Sequence, residues 1–74
     1  MVITHRLKEV LEEKNMTQKE LAIRIGVTEG TISRYISGKR KISLLKIYVI
    51  AQCLGVPMEE LIVVKKEVEK DERR

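Results

Sequence analysis

The sequence predicts a single all-α domain of five short helices. Apolar residues recur at the three- and four-residue spacing of helices, and signals for strands are nearly absent. Polar N-cap residues and following glycines divide the chain into segments of helical length. A chain of 74 residues has room for one small core. We expect residues 1–64 to form this domain and residues 65–74 to form a charged tail.

The first helix is predicted over residues 3–14. One stripe of this segment is apolar and consists of Ile3, Leu7, Val10 and Leu11. Charged side chains occupy most of the remaining circumference. His5 falls on that polar face, where we expect a solvated side chain.

The second and third helices are separated by a very short turn. Thr17 and Glu20 have the spacing of a capping box and begin the second helix. This helix is expected to end at Gly26 with a left-handed C-cap. Thr28 is the predicted N-cap of the third helix, about residues 28–37, and Gly38 follows its end. The inward stripe of the third helix is Ile32, Tyr35 and Ile36.

The fourth helix is predicted to begin after Ser43, its N-cap, and to end before Gly55. It should be the most buried helix, because apolar side chains cover most of its circumference. Cys53 lies in the same stretch, and we expect a buried, unreactive thiol. The apolar residues are Leu44, Leu45, Ile47, Val49, Ile50, Ala51 and Leu54.

The fifth helix is predicted to open at Pro57. Glu59 and Glu60 in its first turn suit the positive end of the helix dipole. Its expected apolar contacts are Leu61, Ile62 and Val64. We interpret the charged residues that follow either as a frayed helical extension or as a disordered tail.

Composition narrows the function classes. His5 and Cys53 are the only soft metal ligands and lie far apart in sequence, so we expect no metal site and no cofactor. No enzyme is predicted, because no catalytic triad, paired-carboxylate site or phosphate-binding glycine loop can be identified, and no small-molecule ligand is evident. No stretch approaches the roughly 20 apolar residues of a membrane span. The expected location is the cytoplasm of a bacterium or archaeon, or a phage origin.

Positive charge is concentrated in the middle of the chain. Residues 17–48 carry seven basic and two acidic side chains, a net charge of +5, whereas the whole chain has a net charge of +4. This distribution is typical of a local nucleic-acid footprint. A protein that is basic for other reasons is the alternative, which charge by itself does not exclude.

The spacing from Gln18 to Ile32 indicates a helix-turn-helix. Ala22 is the fifth, Gly26 the ninth and Ile32 the fifteenth residue of this segment. Two helices that meet at about 90–120° need a small residue where they approach, a glycine at the turn and an apolar residue that fixes the second helix to the first. The arrangement projects the third predicted helix outward, where it can enter the major groove of DNA.

The motifs TQKELA, IGV, TISRY, SGK and LGV, in this order and spacing, resemble the phage-repressor/Cro-type helix-turn-helix domain, the XRE family. The resemblance covers about residues 3–63 and implies a five-helix, lambda-repressor-like fold that binds DNA. Leu11 and Ile36 stand where the family often pairs an arginine with a glutamate. We predict that the Leu11 and Ile36 side chains touch, because apolar residues replace both partners of that ion pair together. Pro57 stands where the family usually has a serine-like cap.

The resemblance implies that residues on the outward face of the third helix, at Glu29, Gly30, Thr31 and Arg34, approach base edges. Arg34 is expected either to bind guanine through two hydrogen bonds or to contact a phosphate. Glu29 either accepts a hydrogen bond from the amino group of cytosine or stabilises the helix N-terminus. Thr31 either meets a thymine methyl group or is half-buried, and Gly30 lets the helix approach DNA closely. The predicted base-reading residues are Glu29, Gly30, Thr31, Ser33 and Arg34.

A second set of residues is predicted to contact the DNA backbone. Lys39, Arg40 and Lys41 follow the third helix and are expected at phosphates, at the negative end of the helix dipole, or at both. The resemblance implies that Gln18 contacts the backbone or braces the recognition helix. The complete predicted set is Gln18, Thr28, Ser37, Lys39, Arg40 and Lys41.

These features predict a small, stand-alone, sequence-specific transcriptional regulator that binds double-stranded DNA, as a homodimeric repressor on a palindromic operator. The expected dimer surface is the fifth helix with Ile62, Val63, Val64 and the tail, and the alternative is that these residues only complete the core. An antitoxin or a restriction-controller protein of the same fold is an alternative function. A protein-interaction module without DNA binding is another, although it would not need the +5 charge of residues 17–48.

Overall fold

The computed structural model describes residues 2–65 and contains five helices and two strands in that part of the chain. The predicted five-helix, predominantly helical fold is confirmed. No helix among the described residues is long and apolar enough to cross a membrane. In chain order the elements are β1 Val2–His5, α1 Leu7–Glu13, α2 Gln18–Ile25, α3 Glu29–Ser37, α4 Leu44–Leu54, α5 Met58–Leu61 and β2 Ile62–Lys65.

One hydrophobic core joins all five helices. Leu21 of α2 and Ile32 of α3 are completely buried at its centre. Leu11 is buried in this core, and Ile36 is half-buried against it. The predicted contact between these two side chains stays a prediction. The remaining buried members are Leu7, Val10, Ala22, Tyr35, Ile47, Ile50, Ala51, Leu54 and Leu61.

The fourth helix is less uniformly buried than its sequence predicts. It supplies four buried residues, more than any other described helix, but Leu44 and Leu45 in its first turn are 68% and 73% exposed. Cys53 is half-buried rather than buried. The first turn projects beyond the core, so apolar character around a helix did not by itself predict burial.

The predicted N-caps of α2 and α4 match the local hydrogen bonds. The Thr17 hydroxyl accepts the Glu20 N–H at 3.0 Å, and the Glu20 carboxylate accepts the Thr17 N–H at 3.0 Å, which completes the capping box. Ser43 accepts the Lys46 N–H at 3.1 Å and caps α4. These bonds satisfy backbone donors that a helix start leaves without internal partners.

The N-terminal segment is a strand, so the prediction of a first helix from residue 3 is wrong. β1 pairs antiparallel with β2, with Ile3 opposite Val64 and His5 opposite Ile62. Ile3 is therefore outside the helical stripe and is 64% exposed. The physical reason is the run of β-branched residues in both segments, whose side chains favour extended backbone.

The fifth helix is also shorter than predicted. Pro57 takes the N-cap position, the Glu60 N–H donates to its carbonyl at 2.9 Å, and the helix ends at Leu61. Ile62 and Val64 belong to β2 instead of the helix. Lys65, assigned to the charged tail, is the last residue of this strand, and residues 66–74 of the predicted tail lie outside the described residues.

His5 connects the strand ribbon to the third helix, which corrects its predicted solvated position on a helix. Its half-buried ring donates from Nε2 to the Tyr35 carbonyl at 3.0 Å, and Nδ1 accepts the Leu7 N–H at 3.3 Å. Both bonds fit the neutral tautomer that carries its proton on Nε2. The ring therefore holds β1 against the last turn of α3.

We expect His5→Ala to lower the free energy of unfolding by about 1–3 kcal/mol, because both hydrogen bonds of the ring and its packing are lost. For a domain of this size, each kcal/mol corresponds to a fall of about 4–8 °C in the thermal midpoint. Lys8→Ala, on the exposed side of α1, is the control. Equal midpoints for the two variants, measured by circular dichroism at one protein concentration, would contradict the structural role of His5.

Candidate nucleic-acid interface

The turn between α2 and α3 is held by its backbone. Gly26 adopts φ 78°, a left-handed conformation that glycine enters without a steric penalty. The N–H groups of Gly26 and Val27 both donate to the Ala22 carbonyl, at 2.9 and 3.0 Å. Thr28 then begins α3 at once. Ala22 and Ile32, the small and apolar positions of the predicted motif, are both buried.

The periodicity of α3 separates an inward from an outward face, as expected from the sequence. Ile32 and Tyr35 are buried. Thr31 is half-buried at the boundary, which agrees with the second of its two predicted environments. The exposed residues are Glu29, Gly30, Ser33, Arg34 and Ser37.

Arg34 lies back along the helix over Gly30. A Cβ built on Gly30 would be 3.7 Å from Arg34 Nη1 and 3.8 Å from Thr28 Oγ1. Long side chains in a helix point toward the N-terminus of that helix. The Arg34 side chain therefore lies against the backbone of Gly30, which carries no side chain. The guanidinium is consequently placed near the N-terminal half of α3, on the exposed face that also carries Glu29.

The hydroxyl groups at the start of α3 are ordered by capping. The Thr28 Oγ1 accepts the Thr31 N–H at 3.1 Å and lies 3.0 Å from the Thr31 hydroxyl oxygen. Thr28 therefore has a structural role as the N-cap of α3, independent of any contact with DNA. The predicted phosphate contact of Thr28 would have to be made alongside this cap.

The basic segment after α3 folds back on the last turn of that helix. Gly38 ends α3 with φ 81°, and the Arg34 carbonyl accepts both the Arg40 N–H and the Ser37 hydroxyl at 3.2 Å. All three side chains of the basic loop, Lys39, Arg40 and Lys41, are exposed.

Within residues 2–65, the basic loop has no carboxylate partner. The salt bridge that forms in that part of the chain is between Arg6 Nη2 and Glu13 Oε2, at 2.7 Å. Among the described residues, no carboxylate neutralises the exposed cations of the basic loop. Gln18, the first residue of α2, is half-buried, and its contact with the DNA backbone stays a prediction.

Sequence reasoning missed the strand that lies beside the basic loop. Ile3, Thr4 and His5 line a surface cleft of about 270 Å³ together with Arg40 and Lys41. The run of β-branched residues near the N-terminus is the feature of the sequence that could have predicted this strand. The cleft is completed by Gly38, Ile42 and Ile47.

Comparisons with known proteins agree with this geometry. A family model described as helix-turn-helix matches residues 7–61. A relative from Archaeoglobus fulgidus, named as an uncharacterized HTH-type transcriptional regulator, is 39% identical over 62 residues, which cover 84% of this chain and 87% of the relative. A crystal structure of a Bacteroides fragilis protein, provisionally described as DNA-binding, superposes with a TM-score of 0.80 at 39% identity and covers 84% of this chain and 100% of its own. Since the model match spans more than half of the sequence, the resemblance stated from the motifs is confirmed, and the chain belongs to the helix-turn-helix family, of the XRE type.

Proposed function

We propose that this protein is a transcriptional regulator that binds double-stranded DNA and reads the major groove with α3. One observation carries the proposal: on a helix-turn-helix frame, α3 exposes a polar face on which Arg34 lies over Gly30, next to a basic loop without carboxylate partners in the described residues. The family membership and the regulator name of the Archaeoglobus relative support this function.

Base reading is assigned to the outward face of α3, by Glu29, Gly30, Thr31, Ser33 and Arg34. Arg34 presents two donors in a fixed fork, which fits the O6 and N7 acceptors of guanine. Glu29 can accept only, so a base contact from it would be to the amino group of cytosine. Gly30 lets the first turn of the helix come close to the base edges.

Phosphate binding is assigned to Lys39, Arg40 and Lys41 of the basic loop, with Gln18, Thr28 and Ser37 at the ends of α2 and α3. Contacts of this class position the protein and release counterions, so they carry affinity and salt dependence without sequence information. The folded-back loop supports this role, because the Arg34 carbonyl fixes the Arg40 backbone.

The working form proposed is a homodimer that acts as a repressor in the cytoplasm on a palindromic operator. One such domain covers a single half-site, and two domains related by a two-fold axis match half-sites about 34 Å apart. A repressor of this size would act by occupying DNA that the transcription machinery needs. An antitoxin or a restriction controller would use the same interface in a different gene context.

In vitro selection of bound DNA from a random pool tests the proposal. We expect a two-fold symmetric consensus whose half-sites are enriched independently of the flanking sequence. An Arg34→Ala protein selected in parallel should lose enrichment at one position of each half-site. Failure of the unaltered protein to enrich any sequence at low salt would reject DNA reading and favour a protein-interaction module.

Gly30→Ala is expected to stabilise the protein and to weaken its binding to the selected operator. The added methyl group would meet its neighbours at ordinary contact distances of 3.7–3.9 Å, so the free protein tolerates it. Alanine in place of glycine inside a helix should raise the free energy of unfolding by about 0.5–1 kcal/mol. Affinity should fall by about tenfold, the equivalent of 1.4 kcal/mol, because the helix can no longer approach the bases as closely.

Urea denaturation and fluorescence anisotropy with labelled operator would measure the two effects on the same sample. A stabilised Gly30→Ala protein with unchanged affinity would show that close approach at this position is not required.

A further inference from the structure

We infer that the cleft between β1, the basic loop and α4 binds a small carboxylate with an apolar body, and that this ligand displaces DNA phosphates from the same cations. Arg40 and Lys41 supply positive charge to the cleft. Its apolar walls are Ile3, Ile42 and Ile47. The binding of the ligand stands by itself, whereas its effect on DNA rests on the proposed function.

The cationic side of the cleft has a fixed backbone. The Arg40 N–H donates to the Arg34 carbonyl at 3.2 Å, directly after the left-handed C-cap at Gly38. Among the described residues, no aspartate or glutamate forms a salt bridge with Arg40 or Lys41. Since both side chains line the same cleft, one anion can neutralise both, and arginine can bind a carboxylate through two parallel hydrogen bonds.

The histidine of the cleft does not add a polar contact for the ligand. His5 Nε2 donates to the Tyr35 carbonyl, and Nδ1 accepts the Leu7 N–H. Both ring nitrogens are therefore occupied by the backbone. The charged group of a ligand would bind at Arg40 and Lys41.

The apolar side combines a nearly buried base with an uncovered rim. Ile47 of α4 is 9% exposed and Ile42 is half-buried, whereas Ile3 of β1 is 64% exposed. Ile3 and His5 are two positions apart on one strand, so they share the face that His5 turns toward α3. An apolar group in the cleft would cover Ile3 and remove from water a surface that the fold leaves exposed.

The volume of the cleft limits the size of the ligand. Sites for drug-sized ligands have roughly 300–1,000 Å³, whereas this cleft has about 270 Å³. A single ring with one carboxylate, as in benzoate, uses both sides of the cleft, because the carboxylate meets the cations and the ring meets the isoleucines. A ligand with so few atoms is expected to bind with a dissociation constant of about 0.1–10 mM.

The cleft shares its cations with the proposed phosphate contacts. A guanidinium that holds a carboxylate in two hydrogen bonds cannot hold a DNA phosphate in the same way at the same time. Two walls of the cleft are also bonded to the last turn of α3, through Arg40 to the Arg34 carbonyl and through His5 to the Tyr35 carbonyl. The ligand therefore acts as an antagonist of DNA binding.

Titration of the full chain with benzoate, followed by ¹H–¹⁵N correlation spectra at constant ionic strength, tests the site. We expect saturable shifts at the backbone amides of Ile3, Gly38, Lys41 and Ile42. Benzamide keeps the ring without the charge, and inorganic phosphate keeps the charge without the ring, so each should bind at least about tenfold more weakly. Absence of saturation with benzoate, or equal binding of either other probe, would overturn the inference.

Two charge variants of the basic loop locate the bound anion. Arg40→Ala removes a cation that lines the cleft, whereas Lys39→Ala removes one that does not. Both variants lose one positive charge from the same exposed loop. We expect the affinity for benzoate to fall about tenfold in Arg40→Ala and less than about twofold in Lys39→Ala. Equal losses would indicate diffuse electrostatic attraction and would overturn the site.

Two strand variants test the apolar contact. Ile3 and Val64 are direct cross-strand neighbours with 64% and 55% exposure, but Ile3 lines the cleft and Val64 does not. Ile3→Thr and Val64→Thr both keep a β-branched residue, so the ribbon should persist, which circular dichroism would check. Affinity for benzoate should fall about three- to fivefold in Ile3→Thr and stay unchanged in Val64→Thr. Equal affinities in the two variants would refute contact with Ile3.

Fluorescence anisotropy with the selected operator tests the antagonism. At a benzoate concentration about ten times its dissociation constant, exclusive binding should weaken DNA binding about tenfold for each half-site. Equal operator affinity in benzoate and in chloride of the same ionic strength would overturn the antagonism. A chain that binds benzoate but selects no DNA sequence would refute DNA reading alone. A chain that selects an operator but binds no benzoate would refute the cleft site alone.

Discussion

Arg34→Ala is expected to relax base selectivity at one position of each half-site while leaving the fold intact. Arg34 is exposed, and its guanidinium rests on the bare backbone of Gly30 rather than in the core. A bidentate contact to guanine contributes about 1–3 kcal/mol of discrimination, so the preferred base pair should lose about 5- to 150-fold of its advantage. Dissociation constants for operators with each base pair at that position would measure the loss.

Two further substitutions separate the roles assigned to the cations. Arg34→Lys keeps the charge but not the planar fork, so selectivity should fall nearly as far as in Arg34→Ala if the residue reads guanine. If Arg34 contacts a phosphate, Arg34→Lys should instead bind almost normally. Lys39→Ala should weaken binding to all sequences alike and flatten the salt dependence by about one unit for each half-site. Identical behaviour of Arg34→Ala and Lys39→Ala would refute the division between base reading and phosphate binding.

Ile32→Ala is expected to have the largest effect on stability. Ile32 is 0% exposed and fixes α3 against α2 and the rest of the core. Truncation of a buried isoleucine to alanine costs about 2–5 kcal/mol, because packing is lost and a cavity is left. A chain of this length is expected to have about 4–11 kcal/mol of total stability, so about half of it could disappear. DNA affinity should fall as well, since α3 would no longer be held in position.

Ile23→Ala provides the matched control, because Ile23 lies in α2 and is 71% exposed. It removes the same atoms from a helix without opening a cavity, and its effect should stay within about 0.5 kcal/mol. Urea denaturation at one fixed protein concentration avoids the concentration dependence that a dimer introduces. Equal losses for the two variants would mean that Ile32 does not fix α3 as described.

The boundaries of α2, α3 and α4 could be predicted because local chemistry determines them. Thr17 and Glu20 form a capping box from four consecutive residues, and Gly26 takes the left-handed cap that its position indicated. The outward face of α3 followed in the same way from the spacing of Ile32 and Tyr35. Each of these features depends on residues within one or two helical turns.

The strands and their contacts could not be predicted from the same kind of signal. β1 and β2 have four residues each, and their pairing joins segments about sixty positions apart, so no local period reveals it. The bond from His5 to the Tyr35 carbonyl depends on that pairing and was therefore missed with it. The exposure of Leu44 and Leu45 was not predicted, because the position of the first turn of α4 relative to the core depends on tertiary packing.

The pairing of the two ends of the described chain has a consequence for the order of folding. Val2 lies opposite Lys65, so the ribbon closes a loop that contains all five helices of the described residues. Such distant contacts cost more chain entropy than a helical turn and tend to form late, whereas the helix-turn-helix depends on local contacts. Because His5 reaches α3 only through β1, the end of α3 is secured in this last step. During synthesis, a nascent chain would thus complete the proposed DNA-reading surface only after β2 has left the ribosome.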